Sequence, residues 1–386
     1  MIKTLRQSLE RLLSRGTLRS LREVSSPQGR EIFLEGQKVL NFSSNDYLGL
    51  ASDVRVVEAA VEVLRRRGFG AGASRLISGS MDEHLLLERE IAAFKGTEAA
   101  LLFPSGYMAN GGIIPALCGR EDVVISDRLN HASLTDGILL SRAEHLRYAH
   151  ANVGALEGVL QRTGSFRRRL IVTDTVFSMD GDIAPLSDIV ELAKRYRAWV
   201  MVDEAHAFGI LGPSGGGLVD LLGLNDSVEV QMGTLSKAAG GSGAYCAGKR
   251  ELIDHLINAA RSFIYTTSMP PAIAGGLREA LRIIQAEPER REILARHAGR
   301  LRQGLRDMGF NTMASVTPII PVMIGGTPET VAFSARLLSE GIFAQAIRPP
   351  TVPEGTARLR LTVTAAHRDE DIEQCLTAFR KVRPCP

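Results

Sequence analysis

Cysteine is scarce in this chain. Four occur among 386 residues, Cys118, Cys246, Cys375 and Cys385. They show no Cys-x-x-Cys and no zinc-like grouping, which sets aside a disulfide scaffold and a cysteine-held metal and points to the reducing cytoplasm. No run approaches the ~20 apolar residues of a membrane span. Charge of one sign is not in excess, since the formal net charge is +3. Neither nucleic acid nor a membrane is therefore expected as a partner, and the triplets Arg65–Arg67 and Arg167–Arg169 read as solvated helix or loop faces. The eight histidines include no His-Glu-x-x-His, so no metal site is expected. His84, His255 and His297 read as surface or helix-face residues.

What is present is the make-up of an ordinary globular protein, 45% apolar and 23% charged, with length for one large domain and one smaller. Ile2, Leu5, Leu9, Leu12 and Leu13 fall on one face of an N-terminal helix, read as a short docking helix rather than a signal. Strand-like runs follow at Ala100–Phe103, Val123–Ser126, Leu170–Thr175, Trp199–Asp203, Val228–Met232 and Ala244–Ala247. Helical patterns alternate with them at Leu85–Phe94, Asn110–Leu117, Leu186–Tyr196 and Glu251–Arg261. This alternation predicts an α/β domain with a mostly parallel sheet covered on both faces. After about residue 265 long helical patterns and short strands predict a smaller α+β domain. The expected division is an N-terminal segment 1–50, a large domain 51–265 and a small domain 266–386.

Three local motifs fail on context. "DEAH" (203–206) spells a helicase box, but no phosphate-binding Gly-x4-Gly-Lys-Ser/Thr loop precedes it. "GPSGG" (212–216) lacks the strand and helix that a nucleophile elbow requires. "GFGAGA" (68–73) follows a helix-like stretch, not the strand of a dinucleotide fold.

The chemistry-bearing residues gather at predicted strand ends, where ligands bind on such sheets. Lys237, in "MGTLSKAAGGSGAY" (232–245), can join an aldehyde. Asp203, ending "WVMVD", can keep a pyridine nitrogen protonated. "FPSGYMANGG" (103–112) offers backbone N–H groups at a helix start for a phosphate, and Thr234 and Ser236 add hydroxyls. His131 in "DRLNHASL" can stack on a ring. These are the needs of pyridoxal 5'-phosphate (PLP).

The segments "NFSSNDYLGL" (41–50), "SGYMANGG" (105–112), "DRLNHASL" (127–134), "VFSMDGDIAPL" (176–186), "VDEAHAFGILGPSGGG" (202–217), "GTLSKAAGGSGAY" (233–245), "YTTSMPP" (265–271) and "IRPPTVPEGTARLRLTVTAAH" (347–367) closely resemble the α-oxoamine synthases, over roughly residues 15–380. These are PLP enzymes of fold-type I, the aspartate aminotransferase-like class. The resemblance implies a large domain with a mostly parallel seven-stranded sheet and a smaller α+β domain. It implies an acyltransferase that joins an amino acid to an acyl thioester with loss of carbon dioxide.

Within the family, residues 346–367 are most similar to the biotin-pathway members, which use L-alanine and a pimeloyl thioester of coenzyme A or acyl carrier protein. The alternative is a glycine-using member such as glycine C-acetyltransferase or 5-aminolevulinate synthase.

By position, the resemblance implies that Lys237 holds the cofactor aldehyde and acts as base, Asp203 meets the ring nitrogen and His206 the phenolic oxygen. His131 stacks on the ring and handles the acyl thioester. Gly106 and Tyr107 serve the phosphate side, with Ser178 and Thr234 as further cofactor contacts. Thr266 or Thr267 reaches a neighbouring subunit's phosphate, which implies a homodimer with sites at the subunit interface. Arg360 binds the amino-acid carboxylate, and Arg19, Asn45 and Thr351 are substrate contacts. Ser74 stands where 5-aminolevulinate synthase has threonine, leaving room for the methyl of alanine. The chain departs from many relatives at Tyr107 (phenylalanine there), Asp174 (glutamate) and Glu204 (aspartate).

Overall fold

A computed structural model describes residues 1–382, so Cys385 lies outside the described residues. The chain divides into two compact units. One comprises Leu50–Ser178 and Ile183–Arg291, the other Met1–Gly49, Met179–Asp182 and Glu292 onward.

The larger unit is built on seven strands: β1 (Ala99–Phe103), β2 (Val123–Asp127), β3 (Glu144–Tyr148), β4 (Arg169–Asp174), β5 (Trp199–Asp203), β6 (Val230–Thr234) and β7 (Ala244–Gly248). Their order in the sheet is β1-β7-β6-β5-β4-β2-β3. Strands β3, β2, β4, β5 and β6 pair in parallel, and β7 runs antiparallel to both its neighbours. The central strands are apolar on both faces, as helices covering both sides demand. Leu170, Val172, Met201 and Met232 face one buried layer and Ile125, Ile171, Val200 and Val202 the other. Strand β3 was not expected from the sequence. "EHLRY" lacks an apolar run because it forms the sheet edge and is largely solvent-facing.

The helices that matter for the site are α1 (Val54–Arg67), α2 (Asp82–Lys95), α3 (Gly106–Leu117), α4 (Ala132–Ser141) and α5 (Pro271–Ala286). Asp53 caps α1 by accepting from Arg55 N, and Ser105 caps α3 by accepting from Met108 N. Past the expected boundary at 265, the larger unit continues to Arg291. The reason is α5, whose Gly275 and Gly276 lie so close to Val63 and Val56 of α1 that a Cβ would crowd them. His84 corrects another expectation. It is buried, and its Nε2 pairs with Met269 O while Nδ1 accepts from Met81 N.

The smaller unit carries a Glu31–Leu34/Gln37–Asn41 antiparallel pair and a second sheet in which Ala357–Thr362 lies between Ile319–Gly325 and Gln345–Ile347. The first pair lies within the segment 1–50 where no strand was expected. The N-terminal helix Ile2–Ser14 buries none of its residues. His297 is buried, again unlike the sequence expectation.

His367 stacks on Phe42 with ring centroids 4.3 Å apart, and burial pushes its imidazole down to about 4. The unfolded chain takes up this proton near pH 6.5. Stability is therefore full above that pH and falls as pH drops toward 4, by about 2 kcal/mol already at pH 5. Urea unfolding at pH 7.5 and pH 5 should show this loss in the native protein and a smaller one in His367→Gln. Equal losses in the two proteins would refute it.

Candidate active site

The carboxyl edge of the sheet forms a cavity of about 170 Å³. Its wall includes Gly106, Tyr107, His131, Asp174, Asp203, His206, Thr234, Ser236 and Lys237. Asp174, Asp203 and Thr234 end β4, β5 and β6, and Gly106 opens α3 just beyond β1. Eight of the residues offered in the sequence as cofactor contacts thus meet here: Lys237, Asp203, His206, His131, Gly106, Tyr107, Thr234 and Ser236.

Lys237 sits in a loop closed on itself. Leu235 N donates to Gly243 O at 2.9 Å, Gly241 N to Leu235 O at 3.0 Å, and Gly240 N to Lys237 O at 2.9 Å. Thr234 Oγ1 also donates to Gly243 O at 2.9 Å and pairs with Ser236 Oγ at 2.7 Å. Gly240 has φ +70°, and a Cβ there would strike the backbone of Leu50 and Ala51. A side chain at that position would be strained and would displace the loop.

Asp203 is 4% exposed. Its Oδ1 accepts from Ala205 N and its Oδ2 from Asn110 Nδ2, each at 2.9 Å. Asn110 Nδ2 also donates to Ser133 Oγ at 2.9 Å. The Ser133 hydroxyl lies 2.7 Å from His131 Nδ1, which accepts from Ser133 N at 3.2 Å as well. Because a backbone N–H can only donate, Nδ1 carries no proton, and the neutral ring has its proton on Nε2. Removal of water from the ring holds His131 below the usual imidazole range, with Lys237 adding to this and Asp203 opposing it.

Asp174 accepts from His131 N at 2.7 Å. Burial, then the charge of Asp203, push Asp174 well above the usual carboxylate range. The Tyr107 hydroxyl bonds Asp136, which raises the phenol above its ordinary value.

Sequence reasoning assigned no role to Asn110 or Ser133. Their signal was a polar residue inside apolar helical patterns, and here both residues are buried and joined by the Asn110 Nδ2–Ser133 Oγ bond. The approach of α4 to α3 that joins them depends on Gly137, whose Cβ would lie 2.6 Å from Asn110 O.

The remaining residues fall elsewhere. Ser178 follows β4 and is half-buried. Ser74 lies in a turn where its carbonyl accepts from Ile77 N and Gly79 N at 3.1 and 2.9 Å. Thr266 lines a separate small cleft with Arg75 and Phe263, and Thr267 is exposed. In the smaller unit the substrate candidates pair with one another: Arg360 Nη2 donates to Asn45 Oδ1, and Arg19 Nη2 to Thr351 Oγ1, each at 3.1 Å. Tyr47 joins the first pair through Asn45 Oδ1 at 3.3 Å.

Comparison with known proteins places this geometry. Residues 37–379 match the family model "Aminotransferase class I and II". The chain is 49% identical over 384 residues to 8-amino-7-oxononanoate synthase of Geobacter metallireducens, covering 99% of this chain and 98% of the relative. It is 48% identical over 377 residues to the enzyme of the same name from Symbiobacterium thermophilum, covering 97% and 96%. Among solved structures, serine palmitoyltransferase of S. paucimobilis with bound PLP-myriocin aldimine superposes with a TM-score of 0.93 at 32% identity, over 98% of this chain and 97% of that one. The 8-amino-7-oxononanoate synthase of Francisella tularensis gives a TM-score of 0.78 at 28% identity, over 89% and 97%.

Proposed function

The chain belongs to the class I and II aminotransferase family, and on that premise we propose that it is a PLP-dependent acyltransferase of biotin biosynthesis. It condenses L-alanine with a pimeloyl thioester, giving 8-amino-7-oxononanoate, carbon dioxide and the free thiol. The observation that carries this reading is the meeting of the Lys237 amine and the buried Asp203 carboxylate in one cavity, in a chain aligned almost end to end with synthases of that reaction.

The residues present fit PLP. The first N–H groups of α3, at Gly106 and Tyr107, have no acceptor within the helix, and with the hydroxyls of Thr234 and Ser236 they suit a phosphate. Gly106 leaves this cradle clear, since a Cβ there would press on Met232 Cε at 3.3 Å. Asp203 would meet the ring nitrogen, His206 the phenolic oxygen and His131 the ring face, with Ser178 as a further contact. When bound, PLP supplies an aldehyde that takes up a primary amine and a protonated ring that accepts an electron pair.

Each protein group then has a stated task. With PLP bound, Lys237 Nζ would hold the aldehyde between turnovers, and as a free amine it would take the proton from Cα of alanine and return a proton to the product carbon. The Asp203 carboxylate, fixed by Asn110 and the Ala205 N–H, favours the protonated ring. His131 presents Nε2–H as a donor to the thioester carbonyl oxygen, where charge develops during attack. Arg360 binds the alanine carboxylate through a charge-assisted pair, with Asn45, Arg19 and Thr351 as substrate contacts and Ser74 leaving space for the methyl.

Thr266 or Thr267 serves the phosphate of a second copy in a homodimer. Support for this is that neither residue lines the Lys237 cavity of its own chain. A cytoplasmic setting is supported by three buried free cysteines, Cys118, Cys246 and Cys375. No helix among the described residues is long and apolar enough to cross a membrane.

A substrate matrix tests the reading. Purified protein is given alanine, glycine or serine with acetyl, succinyl, pimeloyl or palmitoyl thioesters on coenzyme A, and pimeloyl on acyl carrier protein. Product mass should show 8-amino-7-oxononanoate from alanine and a pimeloyl donor as the dominant product. A glycine-derived product with a shorter acyl chain as the best substrate pair would overturn it.

A further inference from the structure

A second cavity opens at the opposite, amino edge of the same sheet. Its volume is about 480 Å³, well above that of the Lys237 cavity and within the range of about 300–1,000 Å³ common for small-molecule sites. Trp199 and Val230, the first residues of β5 and β6, form part of its wall, as do Gly248 at the end of antiparallel β7 and Glu98 just before β1. Trp199 and Asp203 are four residue steps apart along an extended strand, a distance of about 13 Å. The chemistry at the carboxyl edge therefore leaves this space unused.

Two features of the wall say what it would hold. Leu117, Val228, Val230 and Leu252 join Trp199 as apolar surface. Around them stand the carboxylates of Glu98, Asp226, Glu229 and Glu251, against the cations Arg168 and Lys249. Arg168 is already engaged, since Nη1 donates to Leu117 O at 3.0 Å and its guanidinium lies 5.3 Å from the Trp199 ring centroid. His255 Nε2 pairs with Ala116 O at 2.9 Å. Glu98 and Glu229 each accept one backbone N–H, from Arg250 and Val200. Among the described residues none of the four carboxylates has an ion-pair partner within 4.0 Å.

We propose that this cavity is a second small-molecule site, distinct from the Lys237 cavity, that takes a compact organic cation with an apolar body. The apolar part packs on Trp199, Leu117 and Leu252, and the positive group is balanced by the carboxylates of the wall. An aromatic ring beside carboxylates is a suitable setting for an alkylammonium ion.

Trp199 is the single tryptophan of the chain, so its fluorescence reports on this cavity, and the cofactor absorbance monitors the other site. The test titrates the holoenzyme with benzyltrimethylammonium, which has no N–H and cannot condense with the cofactor aldehyde. A saturable fluorescence change at roughly millimolar concentration or below is expected, with the cofactor absorbance unchanged. Benzyl alcohol and benzenesulfonate should bind more weakly. Glu229→Gln and Glu251→Gln should each weaken binding by about two- to five-fold, and Leu252→Phe, which fills the cavity, should remove it. Absence of saturation, benzenesulfonate binding as tightly as the cation, or unaltered binding in Leu252→Phe would each overturn the proposal. Calorimetry on the same proteins gives a readout independent of tryptophan.

Discussion

Lys237→Ala is expected to lower turnover by at least about 10²–10⁴-fold, the range that a positioned proton-transfer group contributes. The same variant should lose covalent attachment of the cofactor. Borohydride reduction followed by peptide mass would show the cofactor on Lys237 in the native protein and on no peptide of the variant. The loop that carries the lysine is closed by its own backbone bonds between Leu235, Gly241 and Gly243, so the substitution should leave the loop folded. Retained turnover, or attachment at another lysine, would refute the assignment.

Lys95→Met should destabilise the fold by about 3–5 kcal/mol, because it strands a charge inside the protein. Lys95 and Glu204 are both fully buried. Lys95 Nζ bonds Glu204 Oε2 and Gly216 O, and Glu204 Oε1 accepts from Val219 N at 3.0 Å. Glu204 directly follows Asp203 in sequence. Glu204→Gln alone should be costly as well, since it leaves the ammonium unpaired. The double variant Lys95→Met/Glu204→Gln should lose less than the sum of the two. Urea midpoints of the four proteins form the cycle, and additive losses would show that the two charges do not depend on each other.

Much of this architecture was legible in the sequence, for identifiable reasons. Strands such as "LIVTD" and "WVMVD" are apolar on both faces because they lie mid-sheet, so their runs stand out without alternation. Strand β3 did not stand out, because an edge strand buries little. The Lys237 loop was legible from its glycines, two of which, Gly240 and Gly243, have a positive φ and a crowded Cβ position. His84 and His297 were misread because a histidine on a helix gives no sign of how its ring nitrogens are satisfied. Asn110 was missed for a related reason. Its value lies in contacts to Ser133 and Asp203, 23 and 93 residues away along the chain, and no local spacing encodes them.

Asp203 ends β5 and His131 caps α4, yet Asn110 on α3 bonds the first directly and the second through Ser133. The two groups thus share one anchor, so the spacing between them is set by a single amide rather than by two independent supports. Gly137, by letting α4 lie against Asn110, is what lets Ser133 reach that anchor.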